Sequence, residues 1–219
     1  MEFRPPRAAQ ALLLEAGPPR GVCITVEGPI GVGKTTLTRL LAARLEAVEM
    51  LEVVEENPFL HHFYQDIRAY AFQTQIFFFL SRYRQQGAVR EQRESGRSVV
   101  SDYMFAKDRL FARMNLSEHE WDLYERLFAL IAPMTVRPDL IIYLTAELPT
   151  LLQRIARRDR PFERAIAPAY LDRLRREYEE FFSGHDETAV LTVDTDAVDI
   201  STSADLEQIL GYAGEVGVR

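Results

Sequence analysis

The chain has 219 residues, a net charge of −7 at neutral pH, and 47% hydrophobic residues. This length suits one domain with a substantial core, and the negative charge disfavours a nucleic-acid polymer as partner, because such domains usually carry a basic surface for the phosphates. The most apolar stretch, residues 76–80, is too short to span a membrane.

The first twenty residues differ in composition from the rest of the chain. They contain a basic start and a run of three leucines, but Glu15 and two prolines follow where a secretion signal would continue its apolar core. We therefore expect residues 1–20 to be a flexible or loosely docked tail and residues 21–219 to form one domain. The single cysteine, Cys23, has no internal disulfide partner, and its apolar surroundings in the sequence indicate a buried thiol in a reducing cytoplasm.

Short apolar runs alternate along the chain with segments of helical spacing. The predicted strands are residues 22–27, 53–54, 99–100, 140–144 and 189–193, and the predicted helices are residues 34–45, 64–93, 117–130, 148–157 and 169–182. Ser117 and Glu120 form a capping box before one helix, and Gly184 is a stop signal after the last. The alternation predicts a three-layer α/β fold, in which helices flank a parallel sheet of about five strands.

A glycine-rich motif joins the first predicted strand to the first predicted helix. Residues 28–35 read GPIGVGKT and match G-x-x-x-x-G-K-[ST], the P-loop. In this motif the glycines let backbone N–H groups surround phosphate oxygens, the lysine neutralises phosphate charge, and the final hydroxyl ligates Mg²⁺. The sequence therefore predicts a P-loop NTPase-type fold that binds ATP with Mg²⁺. The predicted nucleotide-binding residues are Gly28, Ile30, Gly31, Val32, Gly33, Lys34, Thr35 and Thr36.

Three charged motifs indicate a phosphotransferase. Glu55 and Glu56 follow the predicted strand at 53–54, on the sheet edge where open α/β proteins bind ligands, and a carboxylate there can accept the proton of an attacking hydroxyl. Asp102 follows the strand at 99–100 and can hold Mg²⁺ directly or through water. The arginines of residues 154–160 can close over a transferring phosphoryl group as a lid. The plainer interpretations are a solvated turn, a helix N-cap and a basic helix end.

Five motifs in this order resemble those of the deoxynucleoside kinase family, particularly the bacterial deoxyguanosine and deoxyadenosine kinases. They read EGPIGVGKTTL (27–37), VEENPFLHHFYQD (54–66), FQTQIFFFLSRY (72–83), SDYMFAKDRLFA (101–112) and LPTLLQRIARRDRPFE (148–163). The resemblance implies a homodimeric enzyme of nucleotide salvage that transfers the γ-phosphoryl group of ATP to the 5′-hydroxyl of a deoxynucleoside.

The resemblance also implies roles at the phosphate end of the site. Glu55 corresponds to the general base that takes the proton of the 5′-hydroxyl, and Glu56 is the alternative if the register differs by one. Asp102 corresponds to the acid of the family's D/E-R-S motif, but Tyr103 stands where the arginine usually stands, which leaves open which cation supports the 5′-oxygen. Asp159 replaces the commoner glycine of the lid. The lid arginines correspond to Arg154, Arg158 and Arg160.

For the nucleoside, Tyr64 and Glu163 correspond to the pair that holds the deoxyribose 3′-hydroxyl. Gln75 corresponds to the glutamine that reads the base, and Gln73 is the alternative; the two lie roughly 200° apart around a helix, so only one can face the pocket. An arginine near the outer edge of the base suits guanine O6 and N7, which favours deoxyguanosine over deoxyadenosine. The other predicted substrate contacts are Phe78, Arg82, Asp102 and Asp108.

Two other functions fit a P-loop. A nucleoside monophosphate kinase of the thymidylate kinase type needs a cationic patch for the phosphate of its acceptor. A nucleotide-binding regulatory subunit keeps the fold without turnover, which the presence of Lys34, Glu55, Asp102 and the lid arginines disfavours.

Overall fold

A computed structural model describes residues 1–4 and 21–215, and within these ranges six strands form one sheet. Strands β2 to β6 are parallel and β1 pairs antiparallel with β6, so the predicted sheet of five parallel strands is confirmed and gains one antiparallel edge strand. The order across the sheet is β1-β6-β5-β2-β4-β3. The strands are β1 (Glu2–Arg4), β2 (Cys23–Glu27), β3 (Val48–Met50), β4 (Val99–Ser101), β5 (Leu140–Thr145) and β6 (Ala189–Asp194).

Helices flank this sheet and bury its central strands. Strand β2 is buried at every position, as expected for a parallel strand covered on both faces. The described helices are α1 (Lys34–Arg44), α2 (Leu60–Phe63), α3 (Ile67–Glu94), α4 (Lys107–Asn115), α5 (Glu118–Ile131), α6 (Leu148–Arg158), α7 (Pro168–Gly184) and α8 (Ser203–Glu215). Among the described residues, none of these helices is both long and apolar enough to cross a bilayer.

The strand predicted at residues 53–54 is wrong. The chain forms its strand earlier, at Val48–Met50, and then a 3₁₀ turn at Val54–Glu56. The two valines are β-branched and matched the strand pattern, whereas β3 is a short, half-buried edge strand with little apolar signal. As a result Glu52, rather than Glu55, is the first carboxylate after the end of a strand, two residues beyond Met50.

The start of the chain also differs from the expected tail. Residues 2–4 pair with β6, with Glu2 opposite Thr192 and Arg4 opposite Val190, so they belong to the sheet. The rest of the predicted tail, residues 5–20, lies outside the described residues, as do residues 216–219 of the predicted domain.

Local capping decides where the long helix α3 begins. It was predicted from residue 64, but it begins at Ile67, because the Asp66 side chain accepts a hydrogen bond from the Ala69 N–H at 3.1 Å. Tyr64 therefore lies in the turn between α2 and α3. The capping box of Ser117 is confirmed. Helices α2, α4 and α8 lie outside the predicted helices, and α4 contributes to the site described below.

Cys23 at the start of β2 is 4% exposed, and burial raises the pKa of its thiol to about 12. Because the thiolate is the reactive form, we expect the native protein to react with a disulfide reagent such as DTNB at least about 100-fold more slowly than the same protein in urea. The rate of thiolate release, followed by absorbance, checks this. Native and unfolded protein labelling at similar rates would contradict a buried thiol.

Candidate active site

A cavity of about 350 Å³ opens where the P-loop, the segment after β3, helix α3 and the turn after α6 meet. This is the carboxyl-terminal side of β2 and β4, where ligands bind in open α/β sheets. Polar and charged groups of the P-loop line one end, and aromatic and amide side chains of α3 line the other. The cavity can therefore hold a phosphorylated donor and a partly apolar acceptor side by side.

The P-loop has the backbone geometry that its glycines predict. Gly31 and Gly33 have φ of 87° and 112°, and a Cβ on Gly28 would lie 2.3 Å from the Leu144 carbonyl oxygen. Lys34 Nζ donates to the Gly28 carbonyl at 2.7 Å, and burial together with the nearby Lys107 ammonium lowers the pKa of Lys34 to about 8. A bound polyphosphate would favour the charged form of this lysine.

Not every predicted P-loop residue reaches the cavity. Gly28 packs against the end of β5, and the Val32 side chain is buried in the core. The predicted residues that line the cavity are Ile30, Gly31, Gly33, Lys34, Thr35 and Thr36.

The predicted metal ligands lie next to each other. Thr35 Oγ1 donates to Asp102 Oδ2 at 2.7 Å, and both residues line the cavity beside the P-loop. Asp102 is further fixed because its Oδ1 accepts from the Glu52 backbone N–H at 2.7 Å. A hydroxyl and a carboxylate are the hard oxygen donors that Mg²⁺ prefers, and this ion is usually held by one or two such groups plus substrate phosphates. These residues fit an Mg²⁺ site.

The cavity wall contains a carboxylate that the sequence analysis missed. The Glu52 side chain is 13% exposed; its Oε1 accepts from Arg82 Nε at 2.7 Å and its Oε2 from Lys107 Nζ at 3.2 Å. Burial opposes the charge, but Arg82 and Lys107 outweigh it and lower the pKa of Glu52 to about 2. Glu52 is thus an ionised, oriented hydrogen-bond acceptor inside the cavity.

The two predicted base candidates are placed differently. Glu55 also lines the cavity, but its side chain is 60% exposed and its Oε1 lies 3.3 Å from Arg160 Nη2. Glu56 is exposed on the same 3₁₀ turn. The signal in the sequence for Glu52 is a carboxylate shortly after a strand, two residues beyond Val48–Met50.

At the other end of the cavity, Gln75 is buried and faces the ligand space. Its Nε2 donates to the Asp108 carbonyl at 2.9 Å. Gln73 bonds instead to the Ala69 carbonyl of its own helix, at 2.9 Å. The helix therefore turns Gln75, the chosen residue, toward the cavity.

Arg82 links the end of the cavity that is lined by α3 to Glu52. Its guanidinium stacks over the Phe78 ring at 4.9 Å and pairs with both Glu52 and Asp108. Asp108 is fully buried behind it and also accepts from the Tyr124 hydroxyl at 2.7 Å. Phe78 and Arg82 line the cavity, and Asp108 supports Arg82 from behind.

The predicted sugar-binding pair also lines the cavity. Glu163 is buried and accepts from Arg158 Nε at 3.1 Å. Burial raises the pKa of the Tyr64 phenol well above its usual value, and Tyr170 and Glu163 raise it further. Tyr64 therefore remains protonated and can donate a hydrogen bond to a substrate hydroxyl.

Two of the three predicted lid arginines reach the cavity. Arg158 and Arg160 line it, whereas Arg154 donates to the Val32 carbonyl at 3.2 Å and to Thr195 Oγ1 at 2.7 Å. Arg154 thus ties the P-loop to the segment after β6. The sequence predicts Arg154 as a lid arginine, but in the structure its guanidinium holds two segments of the protein together and does not line the cavity.

Asp159, which stands where the family more often has glycine, ends α6 in the left-handed conformation, with φ of 50°. This backbone geometry explains why glycine is common at the position. The Asp159 carboxylate accepts from Arg164 Nε at 2.7 Å, which offsets part of the strain on the turn.

Lys107 is the second residue that the sequence analysis missed. It begins α4, is 3% exposed, and lies between Glu52 and Glu27, whose Oε1 is 3.6 Å from Nζ. Glu27 is fully buried at the end of β2 and accepts from the Met104 N–H at 2.6 Å and the Tyr178 hydroxyl at 3.2 Å. A compositional signal was present: of 26 basic residues only Lys34 and Lys107 are lysine, and both line this cavity.

The chain is similar to known proteins along most of its length. The family model described as "Deoxynucleoside kinase" matches residues 24–211. The chain is 38% identical over 199 residues to the deoxyguanosine kinase of Bacillus subtilis (strain 168), covering 88% of this chain and 96% of that protein. It is 34% identical over 190 residues to the deoxyadenosine/deoxycytidine kinase of the same organism, covering 83% and 86%.

A solved structure shares the fold. The deoxyadenosine kinase from M. mycoides with bound dATP aligns with a TM-score of 0.76 at 24% identity, covering 88% of this chain and all of that chain. At this level of identity the likeness concerns the fold alone.

Proposed function

We propose that this chain, which belongs to the deoxynucleoside kinase family, transfers the γ-phosphoryl group of ATP to the 5′-hydroxyl of a purine deoxynucleoside in nucleotide salvage. Deoxyguanosine is the favoured acceptor and deoxyadenosine the next. The observation that carries the proposal is one cavity that joins a P-loop to Glu52 and to the Gln75 and Arg82 side chains.

The donor end of the proposed site is the P-loop. Its backbone N–H groups and the Lys34 ammonium would hold the β- and γ-phosphates, and the N-terminus of α1 adds a favourable dipole. Thr35 and Asp102 would hold Mg²⁺, which supplies charge neutralisation to the phosphates when bound. Arg158 and Arg160 lie across the cavity and would stabilise charge that develops on the transferring group.

Glu52 is the base that the geometry favours. It is buried, ionised and in the cavity wall, so its carboxylate can accept the proton of the 5′-hydroxyl while that oxygen bonds to the γ-phosphorus and the bond from this phosphorus to the β,γ-bridging oxygen breaks. Glu55, the sequence-based choice, lies on an exposed turn and pairs with Arg160. The two assignments remain distinct predictions, which one pair of variants separates.

The acceptor end supports a purine. Gln75 presents an amide and Arg82 a guanidinium beside the Phe78 ring, which matches a flat base that carries several acceptors. Tyr64 and Glu163 would hold the 3′-hydroxyl of the sugar. A base with acceptors at O6 and N7 gives Arg82 two partners, so deoxyguanosine is expected to be preferred.

The panel experiment tests this function. Purified protein with Mg-ATP is given deoxyguanosine, deoxyadenosine, deoxycytidine, thymidine or thymidylate, and the products are separated by chromatography. We expect both purine monophosphates to form, deoxyguanosine with the higher kcat/KM, and EDTA to abolish the reaction. Turnover of thymidylate alone would establish the monophosphate kinase alternative and contradict the proposal.

A cytoplasmic homodimer is the assembly that we propose. Leu80 of α3 and Leu123 and Leu130 of α5 are exposed large apolar side chains, which fits burial against a second copy. Sedimentation velocity would measure the mass in solution, and a monomer at micromolar concentration would contradict the proposed dimer.

A further inference from the structure

The structure raises a question about the acceptor oxygen. The resemblance assigns its support to an arginine next to Asp102, but that position is Tyr103, and its ring is buried. A hydroxyl oxygen that loses its proton during phosphoryl transfer develops negative charge, and a nearby cation stabilises that charge. Another residue must provide this charge if the reaction is the one proposed above.

We propose that Lys107 is the cation that replaces the missing arginine: it orients Glu52 and stabilises the charge on the acceptor 5′-oxygen. This inference rests on the proposed function and adds a residue to it.

The position of Lys107 supports this assignment. Its Nζ lies 3.2 Å from Glu52 Oε2 and lines the same cavity, whereas Arg82 binds the other oxygen, Oε1. The two cations therefore fix both oxygens of the carboxylate. Arg82 also pairs with Asp108 and lies over the Phe78 ring, so its guanidinium is directed toward the part of the cavity proposed for the nucleobase.

Glu27 keeps the ammonium of Lys107 in this position. It is fully buried, its carboxylate lies 3.6 Å from Nζ, and it is fixed by the Met104 N–H and the Tyr178 hydroxyl. An ammonium has three protons, and Lys107 donates one of them to Glu52 Oε2 at 3.2 Å, whereas Glu27 attracts the charge as an ion pair at 3.6 Å. A second proton can donate to an acceptor oxygen in the cavity, and Lys107 itself neither gains nor loses a proton in the reaction.

The amino-acid usage of the chain points the same way. Arginine occupies the other basic positions of the chain, and lysine occurs only at the P-loop and at 107. An ammonium is a compact charge that fits between two buried carboxylates, where the larger planar guanidinium fits less well. The exception at 107 is thus explained by a requirement of the site.

The test compares Lys107→Met with Lys107→Arg, and uses Arg109→Met as the matched control. Arg109 lies on the same helix but is exposed and pairs with Glu125. Each variant is measured for kcat and KM with deoxyguanosine and Mg-ATP, for ATP affinity by calorimetry, and for the urea midpoint. If Lys107→Met does not fold, Lys107→Gln, which is neutral but keeps a donor, takes its place.

We expect Lys107→Met to lower kcat by about 100- to 1000-fold, the usual effect of losing one preorganised donor, while ATP affinity changes less than about threefold. Lys107→Arg should recover at least about a tenth of the wild-type kcat because it restores the charge. Arg109→Met should equal the wild type.

Two results would overturn the assignment: Lys107→Met that keeps kcat within threefold, or a folded Lys107→Arg no more active than the neutral variant. Wild-type protein inactive on every deoxynucleoside would instead overturn the proposed function, so the two failures are distinguishable.

Discussion

Glu52→Gln is expected to lower kcat with deoxyguanosine by about 100- to 10,000-fold, because an amide cannot accept the proton of the 5′-hydroxyl. ATP affinity should change little, since the Glu52 side chain pairs with Arg82 and Lys107 and does not belong to the P-loop. Steady-state and single-turnover kinetics measure the loss. Calorimetric ATP binding establishes that the variant is folded.

Glu55→Gln is the control for this prediction. Glu55 lies three residues further along, lines the same cavity and carries the same group, so the chemical change is identical. We expect its kcat to remain within about tenfold of the wild type, the loss coming from its contact with Arg160. The opposite ranking, with Glu55→Gln inactive and Glu52→Gln active, would assign the base as the sequence analysis did.

Arg82→Met is expected to reduce the free energy of unfolding by about 3–5 kcal/mol, the usual cost of removing one partner from a buried ion pair. Arg82 is buried and pairs with Glu52 and Asp108, so its loss leaves the buried Asp108 carboxylate with the hydrogen bond from the Tyr124 hydroxyl but without the Arg82 cation. Urea unfolding followed by the fluorescence of Trp121 measures the difference.

A double variant separates charge from packing in this prediction. Arg82→Met combined with Asp108→Asn also removes the charge of Asp108, whose cation is lost in the single variant, whereas Glu52 keeps its contact with Lys107. We therefore expect the double variant to be more stable than Arg82→Met alone, although each change by itself destabilises. A loss below about 1 kcal/mol for Arg82→Met would show that the buried pair contributes little to folding.

The sequence predicted the P-loop part of the site well because that part is local. A strand, a glycine loop and a helix follow each other within residues 22–45, and the spacing of the motif determines how the loop lies between the strand and the helix. Thr35 and Asp102 are 67 residues apart, but both follow strands, so the rule that ligands bind at the carboxyl ends of parallel strands brought them together.

The missed residues depend on contacts that spacing does not encode. The sequence does not indicate Glu52, because β3 is short and half buried, and the β-branched Val53 and Val54 give a stronger strand pattern. Lys107 meets Glu27 only after β2 and α4 pack together, a contact between residues 80 positions apart. Buried charge networks of this kind become visible when the tertiary structure is known.

The first strand has a consequence for solubility. Residues 2–4 occupy the free side of β6, and their backbone satisfies N–H and C=O groups of that strand. A chain that began at residue 21 would lack the three-residue edge strand β1 and would expose the six-residue strand β6 in its place, and long exposed edges pair with strands of other molecules. We therefore expect the opening residues to reduce aggregation through backbone hydrogen bonds, with no particular side chain required.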